Sequence, residues 1–103
     1  MSFEKLPNRQ YERGRSREYK AMELLRKDGW VVGRSAASHS PVDIFAAKLG
    51  CTLLVQVKSG KARVKADEAK ELVKWAEAFN ADAEIWHFKG RGHLEKRRLR
   101  ARK

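Results

Sequence analysis

Tyr19, Met22 and Leu25 recur at a three-residue step, and Ala21 and Leu24 widen the stripe, so the pattern predicts a helix from about Arg15. Ser16 is its candidate cap and Gly29 its stop. Trp30-Val31-Val32 reads as a short strand, and the small polar run Arg34 to Pro41 as a loop. Val42 to Lys48 and Thr52 to Lys58 are apolar and rich in strand formers. Only Leu49-Gly50 and Cys51 separate them, which predicts an antiparallel hairpin. A basic loop, Ser59 to Lys65, leads to a second helix over Ala66 to Phe79. Its expected buried stripe is Ala69, Leu72, Val73, Ala76 and Phe79, and Asn80 suits a left-handed exit. Glu84 to Lys89 forms a further strand, and His93 to Leu99 pairs back across the turn Gly90-Arg91-Gly92. Helix, three strands, helix, two strands is the order of a mixed α/β layer structure.

Three polar residues interrupt the apolar strands. Asp43 lies in the first arm of the central hairpin, where a carboxylate is costly unless paired or metal-bound. Gln56 and Lys58 lie in the second arm, two residues apart and so on one face. The hairpin brings Asp43 beside Gln56. Asp43 and Lys58 alone would also suit a structural ion pair at a strand end. With Gln56 the set gains the chemistry of phosphodiester hydrolysis. Oxygen ligands hold Mg²⁺ with several of its waters, and a nearby lysine stabilises developing negative charge.

Charge narrows the choice of partner. The formal net charge is +11, from 24 Lys+Arg against 13 Asp+Glu in 103 residues, and a field of that size attracts polyanions, DNA or RNA first. A membrane surface is disfavoured, because neither helix sets a strongly apolar face against a Lys/Arg face. One cysteine, Cys51, excludes an internal disulfide and a cysteine-based zinc site. Its apolar setting makes it a core residue. The N-terminus lacks an apolar signal segment, so the protein is expected inside the cell, or in the host cytoplasm if viral. The length predicts one domain over 1–103, with a flexible arm over 1–12 and a basic tail over 100–103.

PVD at 41–43 followed by QVK at 56–58 resembles the PD-(D/E)XK nuclease signature. The flanks sharpen the likeness. Gly14-Arg15-Ser16-Arg17-Glu18 opening a helix, and Gly29-Trp30 with a strand running into Arg34-Ser35-Ala36-Ala37-Ser38, resemble archaeal and phage Holliday junction resolvases. The likeness covers most of residues 13 to 99. It implies a restriction-endonuclease-like mixed central sheet flanked by helices. It also implies a metal-dependent endonuclease that resolves four-way DNA junctions. By that resemblance Asp43 is the central metal ligand, Glu18 and Gln56 complete the site, and Lys58 is the catalytic lysine. Ser35 and Ser38 lie in the loop near the scissile phosphate. The implied cofactor is Mg²⁺, with Mn²⁺ as a substitute and no small-molecule cofactor. The implied assembly is a homodimer. Gln56 departs from the pattern, since the family usually has glutamate there, and a neutral ligand lowers metal affinity.

Arg13, Arg15, Arg17 and Arg34 on one side, and Lys61, Arg63 and Lys65 on the other, are candidates for phosphate contacts, and His39 for a contact with substrate. Trp75 and Trp86 read as core or dimer-interface residues. Two other nuclease readings stay open, one nicking other branched or duplex DNA, the other a degenerate paralogue that binds nucleic acid without cutting. A basic packaging protein is a third class, against which the ordered Asp43, Gln56 and Lys58 set argues.

Overall fold

A computed structural model of the chain describes residues 9–35, 40–90 and 92–103, the first six of these by backbone alone. Two helices and five strands follow in the expected order: α1 (Arg9–Lys27), β1 (Val31–Arg34), β2 (Ile44–Lys48), β3 (Cys51–Ser59), α2 (Ala66–Phe79), β4 (Asp82–Phe88) and β5 (Leu94–Arg100). The strands form one sheet in chain order, β1-β2-β3-β4-β5. All neighbours are antiparallel except β3 and β4, which run parallel across the α2 connection. This is the mixed sheet flanked by helices that the chain predicts.

Some boundaries moved. Helix α1 begins at Arg9, so residues 9–12 of the arm read as loose are helical, and Ser16 lies within the helix instead of capping it. Gly14 lowers helix propensity by about 1 kcal/mol, too little to stop a helix anchored downstream by packing. Asp43 stands just ahead of β2, not inside it. The turn between β2 and β3 has positive φ at both Leu49 (51°) and Gly50 (80°), the geometry that matches the right-handed twist of a hairpin. Leu49, 97% exposed, takes a conformation usually left to glycine or asparagine.

The sheet is covered on both faces. On one, Ala21, Met22 and Leu25 of α1 pack with Ile44, Ala46, Leu53, Val55, Trp86 and Phe88. On the other, Leu72 and Ala76 of α2 pack with Val42, Leu54, Ala83 and Ile85. Alternation along β3 therefore turns Leu53 and Val55 toward α1, and Leu54 and Gln56 toward α2. Trp86 is core, as one of its two readings had it. Of the residues assigned to buried stripes, Leu24, Ala69 and Val73 are only partly buried, and two are exposed: Tyr19 at 46% and Phe79 at 51%. Each has other rings or cations against it. Phe79 meets Phe45 edge-on and stacks on Trp75, and Tyr19 lies under Arg15 and Arg34.

Helix α2 ends in the expected left-handed residue, Asn80, and the Ala81 N–H closes back on the Ala76 carbonyl at 2.8 Å. Arg100 Nη1 donates to the Ala81 carbonyl at 2.7 Å and to Ala76 at 3.4 Å, a cation where the helix dipole favours one. The Arg102 N–H donates to Asp82, and Lys103 N to Asn80 Oδ1 at 3.1 Å. The basic end of the chain is thus fastened against the exit of α2.

Candidate active site

Strand β3 runs through the centre of the sheet, so residues along it are flanked by strands and capped by a helix on each face. Asp43 is one residue beyond the last β2–β3 pair, Ile44 with Val55, and so lies beside Gln56. Its backbone N–H donates to the Val55 carbonyl at 2.9 Å, and its carbonyl accepts from Ser35 N–H at 2.9 Å. Its Oδ2 accepts the Val57 N–H at 2.7 Å. Val42 N–H donates to Ser40 Oγ at 3.2 Å, which shapes the chain just before it. Among the described residues the carboxyl is held by the Val57 backbone N–H, with no side-chain hydrogen bond or ion pair.

Burial sets the chemistry of this group. It pushes the Asp43 carboxyl up to about 6, against the Val57 N–H, which holds it down. Glu18 pushes it further up, Lys58 pulls it down and Glu68 pushes it up. Three of the four residues expected together, Glu18, Asp43 and Lys58, thus share one electrostatic field. Gln56, the fourth, is 7% exposed, and its Oε1 is buried with no hydrogen-bond partner among the described residues. An orphaned carbonyl oxygen at this depth costs about 1–3 kcal/mol unless something meets it.

A divalent cation is the kind of group that would meet it. Asp43 Oδ1 has no donor among the described residues, and Gln56 Oε1 has none either. Two oxygen donors without a hydrogen-bond donor of their own suit a hard divalent cation, which takes oxygen ligands. Glu18 is less ready: its Oε1 accepts from Arg34 Nη1 at 2.8 Å. No three His, Cys, Asp or Glu side chains among the described residues are grouped as a metal cage.

Lys58 has a partner the sequence reading missed. Its Nζ lies 3.2 Å from Glu68 Oε2, while Glu68 Oε1 accepts the Lys65 N–H at 2.9 Å. Glu68 is held low first by that N–H, and also by Lys58. An acid in the first turn of α2 reads as a response to the helix dipole, and only the tertiary fold brings it to β3. The one available signal was its place three residues after the helix entry.

The basic candidates divide. Arg15 is exposed and stacks over Tyr19 at 5.6 Å. Arg17 covers the Phe88 ring at 5.8 Å, a packing role. Arg34 is bound to Glu18 and lies 5.3 Å from the Tyr19 ring centre. Lys61, Arg63 and Lys65 are exposed on the loop into α2. Ser35 reaches Asp43 through its backbone N–H. Ser38, His39 and the Arg13 side chain lie outside the described residues. No helix described is long and apolar enough to cross a membrane.

A family model described as archaeal Holliday junction resolvase (hjc) matches residues 9–100. Among solved structures, Archaeoglobus fulgidus Hjc, described as a Holliday junction resolvase from an archaeal hyperthermophile, is similar at 28% sequence identity and a TM-score of 0.74. The alignment covers 84% of this chain and 73% of that one. No curated protein matches the chain.

Proposed function

Since the chain belongs to the archaeal Holliday junction resolvase family, whose members are structure-specific DNA endonucleases, we propose that Asp43, Gln56 and Lys58 form its phosphodiester-cleaving site. The observation that carries this reading is the partly buried Asp43 carboxyl beside Gln56 Oε1, which has no hydrogen-bond partner among the described residues, with Lys58 two residues further along the strand of Gln56. Resolvases of this family are in general divalent-metal dependent. Mg²⁺, with Mn²⁺ as substitute, is the ion that an oxygen-only donor pair of this kind suits. When bound, such an ion polarises the phosphate and supplies an activated water.

The chain's own residues do the rest. Asp43 and Gln56 are the residues whose oxygens would hold such an ion, and the Val57 N–H fixes the Asp43 carboxylate in place. Lys58, directed by Glu68, puts positive charge where the phosphate gains negative charge. Arg34 shields Glu18 while no ion is near, and exchange of Arg34 from Glu18 onto a DNA phosphate would free a further carboxylate for the site. The substrate is branched DNA, which the net charge of +11 draws in. Two cuts are needed to resolve a four-way junction, so the working unit is a two-fold dimer. The half-exposed Phe79, packed on Trp75 and Phe45, is apolar surface that a second copy would cover. The reaction takes place inside the cell, where DNA junctions arise.

The test is cleavage of four-way junction, fork and linear duplex with Mg²⁺ or Mn²⁺. Paired cuts in the junction that disappear with chelator are expected. Junction binding without cutting under every metal would sink the endonuclease reading.

A second reading has an observation of its own. Neutral Gln56 leaves one fewer charge on the metal than the family's usual glutamate, which fits a paralogue that binds junctions without cutting them. Gln56→Glu separates the two. If the native site is active, this variant binds Mn²⁺ about tenfold more tightly by calorimetry, a gain of roughly 1.4 kcal/mol from the added charge, and still cuts. If the native site is degenerate, cutting appears only in the variant.

A further inference from the structure

The parallel β3–β4 pairing continues the site sideways. Lys58 is level with His87, and His87 with Glu95; Gln56 is level with Ile85, and Ile85 with Arg97. Ile85 packs with the α2 core, so His87 and Arg97 share its face of the sheet, the face of Gln56. There the strands and the loop before α2 enclose an open cleft of about 710 Å³, with Ile85, Val64 and Ala62 among its walls. Lys61 and Arg63 line it from the loop, Lys89 and Arg97 from the β4–β5 hairpin. Four permanent cations face a single carboxylate, Glu95, for a net charge of +3.

The cleft is a built feature, not a chance gathering of lysines. His87 Nε2 donates to the Gly60 carbonyl at 2.8 Å, since a carbonyl can only accept, and the Gly60 N–H donates to the Phe88 carbonyl at 2.9 Å. Gly60 has a φ of +63°, so the loop turns sharply at that mooring. Two bonds thus hold the loop to β4 and fix where Lys61 and Arg63 begin. Glu95 is occupied by Lys89 at 2.9 Å and by His93 at 3.5 Å. Among the described residues Lys61, Arg63 and Arg97 have no ion-pair partner. Three solvated cations on a fixed frame are ready for an anion that arrives from outside.

We propose that this cleft is a second DNA-binding site, holding backbone phosphates of the substrate strand as it leaves the cutting site across β4 to β5. Two strand spacings, about 10 Å, separate β3 from β5, so the cleft takes phosphates close to the scissile one. The apolar floor at Ile85 and Val64 suits the sugar face of the same backbone. The contacts carry affinity and register, not sequence choice. The inference rests on the DNA-binding part of the function proposed above, and adds Lys89, just past the end of β4, and Arg97, on β5, to the basic loop.

The experiment is fluorescence anisotropy of a labelled four-way junction with the full-length protein, in chelator so that nothing is cut, over a series of salt concentrations. Arg97→Ala is expected to weaken binding several-fold at low salt and to reduce the slope of log K against log salt by about 1. Arg97→Lys should keep the slope. Lys74→Ala, an exposed residue of α2 paired with Glu71, should match the wild type. Thermal melts check that each variant folds, which the exposure of Arg97 favours. Wild-type affinity and slope in Arg97→Ala would overturn the proposal, and so would a loss matched by Lys74→Ala. Because the assay is free of metal, a wild type that binds but never cuts fails the endonuclease reading alone. A wild type that does not bind the junction fails both.

Discussion

Asp43→Asn will abolish junction cleavage, a loss of at least about a thousandfold or 4 kcal/mol, and will make the metal-free protein more stable at pH 8. The two halves have one cause. Burial raises the folded carboxyl from 3.8 to about 6, so the fold favours the neutral acid. Below about pH 4 the group is protonated whether the chain is folded or not, and its contribution to stability is complete. Between about pH 4 and 6 the unfolded chain ionises first and that contribution falls. Above pH 6 the deficit is constant, about 1–3 kcal/mol for a shift near two units. Asparagine keeps an acceptor for the Val57 N–H and removes the charge. Melting curves of both proteins at pH 4 and pH 8, in chelator, check this: the variant should gain several degrees at pH 8 and little at pH 4. A variant less stable than wild type at pH 8 would show that the carboxylate is structurally satisfied, and the site would lose its main support.

Lys58→Met is expected to lower the cleavage rate about a hundredfold to a thousandfold at saturating metal, the usual effect of removing one group that stabilises transition-state charge. It should also move the pH profile. Lys58 pulls the Asp43 carboxyl down while Glu18 and Glu68 push it up, so without the lysine that carboxyl rises beyond about 6. The limb of the rate profile that climbs as Asp43 ionises should then shift to higher pH at limiting metal. Junction binding in chelator should fall by no more than the several-fold expected for one lost phosphate contact. A slower variant with an unmoved profile would mean that Lys58 acts apart from Asp43.

What could be read from the chain was what local pattern controls. The strands around Ile44 and Leu54 announced themselves by unbroken apolar runs, and the turn between them by its brevity. Asp43, Gln56 and Lys58 stood out because polar groups are costly in such runs. The start of α1 was hidden, since Gly14 and the charges around it carry no apolar stripe. Tyr19 fell on the helical stripe yet lies beneath two arginines, because a phenol ring serves cations as well as it serves a core. The Glu68–Lys58 and Arg34–Glu18 pairs join residues ten and sixteen positions apart on different elements, and no periodicity within one element contains them. They decide which charges are free at the site, so the sequence could nominate the residues without ranking them.

The strands' spatial order repeats their order in the chain, and this bears on how an armed site arises during folding. Three of the four pairings join consecutive antiparallel strands through connections of nine residues or fewer, and such contacts close early. The parallel pairing of β3 with β4 must wait for the whole α2 crossover. β3 carries Gln56 and Lys58, and α2 carries Glu68, so the groups that would cut DNA sit at the last joint to form. A half-folded chain can be basic enough to cling to DNA. It has no means of breaking a strand until the sheet has closed around it.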